Sequence, residues 1–176
     1  MIGAVSTRQA GFTLIEILVT IVILSIGLLG IAGMQASSLR NNHAAYTKTQ
    51  AANLAMDMAD RIRANPGARA EYVGFDTGTN VPADPGCIGT GCTAEQLADF
   101  DMRQWSIPIL GTNGTTVTET TKPALPDGRG MIGTDNGRYV VTLLWREPAF
   151  DADMTRTQCI ADQDPEFACF QMRFLP

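Results

Sequence analysis

The chain has 176 residues, of which 45% are hydrophobic and 18% charged, and its formal net charge at pH 7 is −5. This length allows one long helix and one modest domain. The acidic balance argues against nucleic acid as a partner, because nucleic acids are bound through an excess of lysine and arginine. A single histidine, His43, and the lack of a nucleotide or metal motif argue against an enzyme. We therefore expect no cofactor and no bound metal.

An uncharged run from Ile17 to Ala36 follows a short polar leader. As a helix, this run is long enough to span a hydrocarbon core of about 30 Å. Glu16 stands directly before it, where a carboxylate is costly unless a cation pairs with it. Three interpretations are open: a signal peptide, a plain membrane anchor, and a leader cut after Gly11 that leaves a positively charged terminus at Phe12. The run is too long for an ordinary signal peptide, and a plain anchor leaves Glu16 unexplained.

The hexapeptide Gly11-Phe12-Thr13-Leu14-Ile15-Glu16 resembles the prepilin cleavage motif of type IV pilins and of type II secretion pseudopilins. The resemblance implies that a membrane aspartyl peptidase cuts between Gly11 and Phe12 and then N-methylates Phe12. It also implies that Glu16 meets the terminal amine of a neighbouring subunit as a filament forms. A methylated amine keeps its charge, and the low dielectric of a filament core strengthens its pairing with a carboxylate.

We expect one helix from Phe12 to Asn65, because no helix-breaking residue precedes Asn65-Pro66-Gly67. Arg8, before the apolar run, favours a cytoplasmic N terminus. The resemblance implies a single pass through a bacterial inner membrane, with the C-terminal domain in the periplasm, followed by transfer to a surface pilus. Four segments are expected along the chain: a cleaved leader at 1–11, a transmembrane and filament-core helix half at 12–36, an amphipathic helix half at 37–65, and a periplasmic globular region at 66–176.

The second helix half carries an apolar stripe that we expect to dock on the globular region. Asp57 and Arg61 can pair on its polar side. Glycines weaken the first half. They are open to two interpretations: a soft spot that loosens in the filament, as the resemblance implies, or close packing of helices in the membrane. The stripe comprises Ala44, Thr47, Ala51, Leu54, Ala55, Met58 and Ile62, and the glycines are Gly27, Gly30 and Gly33.

Four cysteines, Cys87, Cys92, Cys159 and Cys169, follow the membrane run. In an exported domain they are expected to form disulfides. Four cysteines allow three pairings, and we favour Cys87 with Cys92 and Cys159 with Cys169 because each pair closes a short loop. The sequence leaves the pairing open. The spacings and the absence of a nearby histidine argue against zinc.

Within the globular region, we predict a loop at Pro66–Pro85 and, farther along the chain, a capped helix. Thr93-Ala94-Glu95-Gln96 has the pattern of a capping box and predicts a helix from Ala94 to about Trp105. The expected apolar contacts of this helix are Leu97, Phe100 and Trp105, and Asp99 and Asp101 are interpreted as part of its surface.

A small antiparallel sheet is predicted in the remaining chain. Its strands are expected at Met131–Ile132, Tyr139–Trp145 and Cys169–Phe174, with a hairpin turn at Asn136-Gly137. We expect three or four strands with one face on the apolar stripe and the other wet or paired within a filament. The acidic residues near Cys159 are interpreted as a solvated loop, with calcium binding as the alternative; they are Asp151, Asp153, Asp162, Asp164 and Glu166.

The stretch Cys-Thr-x-x-Gln-Leu-Ala leading into Asp-x-x-x-Trp, from Cys92 to Trp105, resembles PilV-type minor pilins, as does the strand around Trp145. The resemblance implies an α+β type IV pilin fold, with a long N-terminal helix packed on a small antiparallel sheet and a C-terminal disulfide loop. It also implies a minor pilin that helps to initiate or assemble a type IV pilus, and so supports twitching motility and adhesion. The implied partners are the prepilin peptidase and N-methyltransferase, other minor pilins and the major pilin.

Two alternative functions remain open. The first is a minor pseudopilin of a type II secretion system, since the cleavage motif is shared by both classes. The second is a pilus-tip adhesin that uses the threonine- and glycine-rich segment 111–122 and the acidic loop as its contact surface.

Overall fold

The computed structural model describes residues 11–111, 122–147, 158–161 and 163–176. The chain separates into two units, Met1–His43 and Ala44–Pro176. The elements in chain order are α1 (Leu14–Ala64), a 3₁₀ turn (Arg69–Tyr72), α2 (Cys87–Thr90), α3 (Ala94–Leu110), β1 (Arg129–Asp135), β2 (Arg138–Arg146) and β3 (Phe167–Phe174).

In the first unit, α1 carries no charged residue from Ile17 to Ala36, and its side chains there are exposed. Its most apolar window has a mean hydropathy of 2.7, so by length and composition it is able to cross a membrane. The helix is continuous through Gly27, Gly30 and Gly33, and a Cβ added at any of them would contact no neighbouring atom. Packing within one chain therefore does not require glycine at these positions.

In the second unit, α1 contributes its apolar stripe to the core. Leu54 is partly buried, and the helix ends at Ala64, directly before the predicted break at Asn65 and Pro66. Pro66 has no N–H to continue the ladder. The buried residues of this part of the helix are Thr47, Ala51, Ala55, Met58, Ala59 and Ile62.

The sheet has three antiparallel strands in the order β1-β2-β3. Asn136 and Gly137 join β1 to β2, and both have positive φ, 50° and 77°, as the favoured two-residue hairpin turn requires. With the long helix and the Cys159–Cys169 disulfide near the C terminus, the sheet confirms the expected α+β type IV pilin fold.

The second face of the sheet is more buried than predicted. Val140, Thr142 and Leu144 point away from the α1 side, and all three are buried. Side chains of β3 lie across them: the amide of Gln171 donates to the Thr142 hydroxyl at 3.1 Å, and Arg173 pairs with a carboxylate of β1. The second face, which was expected to be wet or paired within a filament, is therefore already buried by the chain's own side chains at the centre of the sheet.

Helix α3 forms where the capping box predicts it, and both cap bonds are present. The Gln96 N–H donates to the Thr93 hydroxyl at 3.3 Å, and the Thr93 N–H donates to the Gln96 side chain at 3.0 Å. The helix runs past the predicted end at Trp105, however, to Leu110, with Pro108 in its last turn. It ends at Gly111, whose φ of 72° is left-handed, the usual C-terminal stop.

The buried face of α3 also differs from the prediction. Leu97 is 37% exposed, so the contact expected from it is wrong. The helix instead buries residues at the spacing of one face, which starts one position later in the chain. The buried residues of this helix are Ala98, Asp101, Met102, Arg103, Trp105, Ser106 and Ile109.

The segment between α1 and α2 is more ordered than a loop. Three main-chain bonds, each 2.9 Å long, tie it to β1: the Gly74 N–H donates to the Ile132 carbonyl, the Ile132 N–H to the Phe75 carbonyl, and the Thr77 N–H to the Gly130 carbonyl. The 74–77 segment therefore covers the outer edge of β1.

Candidate assembly site

The residues of the predicted cleavage motif lie at the start of α1. Phe12 is 81% exposed and precedes the helix, and the Thr13 carbonyl accepts the first helical bonds, from the N–H groups of Glu16 and Ile17 at 3.1 and 3.3 Å. Thr13 and Glu16 therefore have the spacing of a capping box. A negative charge in the first turn is also favoured by the helix dipole.

Glu16 lies in the first turn of α1 and is exposed. Among the residues that the structure describes, none forms an ion pair with its carboxylate. The apolar residues around it are exposed in the single chain. Such a charge becomes expensive when that surface is covered, unless the covering molecule brings a positive group.

A second group of polar residues joins α1, the 3₁₀ turn and α3. Asp101 is only 7% exposed. One oxygen accepts from Nη1 of Arg61 at 2.9 Å, and the other accepts from the Tyr72 hydroxyl at 2.7 Å. The Asn65 amide donates to that hydroxyl at 3.2 Å and to the Ala94 carbonyl at 2.7 Å. We call Arg61, Asn65, Tyr72 and Asp101 the polar cluster.

The interpretation of Asp101 as part of the helix surface is wrong, whereas Asp99 is exposed. The sequence did contain a signal, because Asp101 lies one turn before Trp105 and so shares its face of α3. The predicted pair of Asp57 with Arg61 is present at 3.0 Å. Arg61 therefore links an exposed carboxylate to a buried one.

The environment of the polar cluster shifts two pKa values. Burial, followed by the hydrogen bond to Asp101, raises the pKa of Tyr72 well above its ordinary value. Burial opposes the charge of Arg61, but hydrogen bonds and attraction from Asp57 and Asp101 outweigh it and raise the pKa of Arg61. Both shifts keep the proton on these groups, so Arg61 and Tyr72 remain donors to Asp101.

Trp105 makes a second connection between α3 and α1. Its Nε1–H donates to the Leu54 carbonyl at 2.8 Å, and its ring centroid lies 6.1 Å from that of Phe75. A Cβ added to Gly130 would lie 2.5 Å from the Trp105 ring. Glycine in β1 is therefore what allows the ring to approach the sheet.

The other predicted residues include the cysteines, His43 and the acidic residues near Cys159. Cys87 is bonded to Cys92 and Cys159 to Cys169, with Cα separations of 5.2 and 6.1 Å. His43 is exposed. Asp151, Asp153, Asp162 and most of the 111–122 segment fall outside the described residues, and those that are described contain no cluster suited to a metal.

Two family models match the chain. One, described as the prokaryotic N-terminal methylation motif, matches residues 6–32 and contains Gly11, Phe12 and Glu16. The other, described as type IV pilin Tt1218, matches residues 33–103 and covers the second half of α1 and part of α3. The two matches adjoin. Comparison with curated proteins gives no match, and neither does comparison with solved structures.

Proposed function

Since the chain belongs to the type IV pilin superfamily, we propose that it is a minor pilin that helps to initiate and assemble a type IV pilus. The methylation motif implies processing by a prepilin peptidase and assembly with other pilins. In this proposal the peptidase removes residues 1–11 and the amine of Phe12 is then methylated. The observation that carries the proposal is the Glu16 carboxylate, which forms no ion pair with any described residue and lies in the first turn of an exposed apolar helix, inside the matched motif.

Assembly follows from the chemistry of that helix. Before assembly, the apolar residues hold the subunit in the inner membrane with the globular unit in the periplasm. Within the filament, helices replace lipid around one another, and the positive Phe12 terminus of a neighbour neutralises Glu16 in a medium of low dielectric. Because an unpaired carboxylate there is costly, a subunit in the wrong register is rejected. Gly27, Gly30 and Gly33, which the single chain does not require, allow close helix packing or local loosening in the filament.

The first test is the N-terminal sequence and intact mass of the protein from its native cells. A chain that starts at Phe12 and is heavier by one methyl group supports the prepilin route. A chain that keeps its leader in processing-competent cells, or that is cut after the apolar run, contradicts the proposal.

The second test separates a pilus from a secretion pseudopilus and uses a deletion strain. Loss of twitching and of surface pili, with normal export of secreted enzymes, supports the minor pilin. Loss of export with normal pili favours the pseudopilin instead. Normal pili and twitching with lost attachment to surfaces favours the tip adhesin. The similarity of residues 92–105 to PilV-type pilins supports the first outcome.

A further inference from the structure

The two edge strands of the sheet, β1 and β3, differ in how far other segments cover their outer sides. The outer edge of β1 is covered by the 74–77 segment through the three main-chain bonds described above. On β3, the first residue is covered, because the Gln163 amide donates to the Phe167 carbonyl at 2.7 Å. The disulfide from Cys159 secures Cys169. Beyond Cys169, within the described part of the chain, no main-chain bond reaches the outer side of β3.

Strand alternation identifies which groups of β3 face outward. In β1, Gly130 and Ile132 bond outward, so Met131 faces β2 and pairs with Thr142. The main-chain N–H and C=O groups of Val141, the residue next to Thr142 in β2, then face β3, where Val141 pairs with Met172. Because main-chain groups alternate along a strand, the outward-facing groups in the second half of β3 are those of Gln171 and Arg173.

An apolar ledge lies beside these groups on the inner face of the sheet. Phe170 and Met172 are packed against the core but are only partly buried. Their cross-strand neighbours in β2, Leu143 and Val141, are completely buried. Another strand beside β3 would bury this ledge as well as bond the outward N–H and C=O groups.

The usual protection of an edge strand is weak here. Exposed edges are generally shielded by charged residues, proline, bulges or a short strand. β3 has eight residues and no proline, and Arg173 is its one charged residue. That side chain is drawn across the outer face toward Asp135, with 3.4 Å between Nε and the carboxylate. It therefore does not shield the edge.

We infer that Phe170–Leu175 receives an extended segment from a neighbouring filament subunit as a fourth strand of the sheet. This inference rests on the proposed function, which supplies such neighbours. Only an extended polypeptide presents N–H and C=O groups at the required alternation. Two copies joined through β3 would occupy both edges in a closed two-fold pair, whereas a filament grows head to tail. The incoming strand is therefore not β3 of a second copy, and we assign it to a pilin of different sequence.

The first test uses a matched pair of substitutions in the full-length chain. Arg173→Pro removes an outward N–H and places a ring where the incoming strand lies, while the bonds to β2 from Met172 and Phe174 stay. Arg173→Ala removes the same side chain but keeps the N–H. The measurement is the amount of each variant in sheared filaments, relative to its amount in the membrane.

We expect Arg173→Ala to enter filaments like the wild type and Arg173→Pro to fall by about tenfold. Equal entry of both variants overturns the inference and leaves the proposed function standing. Absence of the wild type itself from filaments overturns the proposed function, and the inference falls with it. Protease resistance of the globular unit in intact spheroplasts shows that each variant is folded.

The second test leaves the strand itself unchanged and identifies its neighbour. Leu175, which is 65% exposed directly after β3, is replaced by the photoreactive amino acid benzoylphenylalanine in the full-length chain. A cross-link in native cells to the globular part of another pilin, identified by peptide mass, supports the inference. A cross-link to a second copy of this chain, to a protein that is not a pilin, or to nothing overturns it.

Discussion

Glu16 and Asp101 are two carboxylates on helices with opposite surroundings. Asp101 is buried, and each of its two carboxylate oxygens accepts a hydrogen bond, one from a guanidinium and one from a hydroxyl of its own chain. Glu16 is exposed and has no ion-pair partner among the described residues. A charge that a chain satisfies internally stabilises its fold, whereas a charge left unsatisfied on an apolar surface is suited to a partner. The first role is structural, and we propose that the second is assembly.

Replacing Glu16 by alanine is expected to leave the protein in the membrane but to remove it from filaments by at least about tenfold, since the neighbour's terminal amine loses its counter-charge. Immunoblots of the membrane and sheared-filament fractions measure this. Thr20→Ala is the control, because the Thr20 hydroxyl only bonds the Glu16 carbonyl, at 2.7 Å. Normal incorporation of Glu16→Ala would contradict the assembly role.

Tyr72→Phe removes a hydroxyl from the polar cluster and leaves one oxygen of buried Asp101 without its donor. We expect a loss of about 1–3 kcal/mol in the free energy of unfolding. Urea titration of the detergent-solubilised full chain measures this through the fluorescence of Trp105 and Trp145, both in the second unit. An unchanged midpoint would mean that water replaces the hydroxyl without cost.

The raised pKa of Tyr72 also predicts a dependence on alkaline pH. Above about pH 10 the unfolded tyrosine loses its proton while the folded one keeps it. The folded state then binds more protons than the unfolded state, so stability falls as the pH rises. Between about pH 9 and about pH 11, the urea midpoint of Tyr72→Phe should fall less than the midpoint of the wild type. An equal fall in both would contradict this account.

Among the elements, α3 and the sheet meet through a contact that depends on a missing side chain. Gly130 lies in β1 beneath the Trp105 ring, where a Cβ would be 2.5 Å from the ring and 2.9 Å from Ile109. Gly133 lies in the same strand, and a Cβ there would meet nothing within 4 Å. The two glycines therefore separate the effect of packing from the effect of strand propensity.

Gly130→Ala is expected to destabilise the second unit by about 1–3 kcal/mol, because Trp105 must move from a close-packed position. Gly133→Ala is the matched control and is expected to be neutral or slightly stabilising, since alanine lowers the entropy of the unfolded chain. Thermal unfolding of the full chain, followed by near-ultraviolet circular dichroism, compares the two. A similar loss in both variants would mean that the ring contact is not the cause.

Over the whole molecule, local features were predictable and distant ones were not. The Thr93 cap and the Asn136-Gly137 turn join residues within one short segment, so their composition is sufficient to indicate them. The pairing of Arg61 with Asp101 and the covering of β1 by the 74–77 segment join residues far apart in the chain. No local pattern marks such contacts, because they depend on how elements pack. The motif at Glu16 is recognisable from its residues, but the partner that we propose for it lies outside the chain.

The Cys159–Cys169 disulfide acts at this larger scale, because it fixes the segment before β3 to the sheet. Replacing both cysteines by serine is expected to lower the free energy of unfolding by about 2–3 kcal/mol, as the unfolded chain regains the freedom of the closed loop. Urea titration of the full chain measures the change. The Cys87/Cys92 double variant serves as a comparison. Its loop is shorter, so the loss of loop-closure entropy is smaller and we expect a smaller decrease in the free energy of unfolding.

The double attachment of α3 to α1 has a mechanical consequence. Asp101 and Trp105 lie one turn apart on α3, and they hold Arg61 and the Leu54 carbonyl, which lie about two turns apart on α1. A force that pulls α1 away from α3 therefore acts on two bonds, each to a different turn of α1. The helices separate only when both bonds have broken, so this joint resists a pull better than either bond alone.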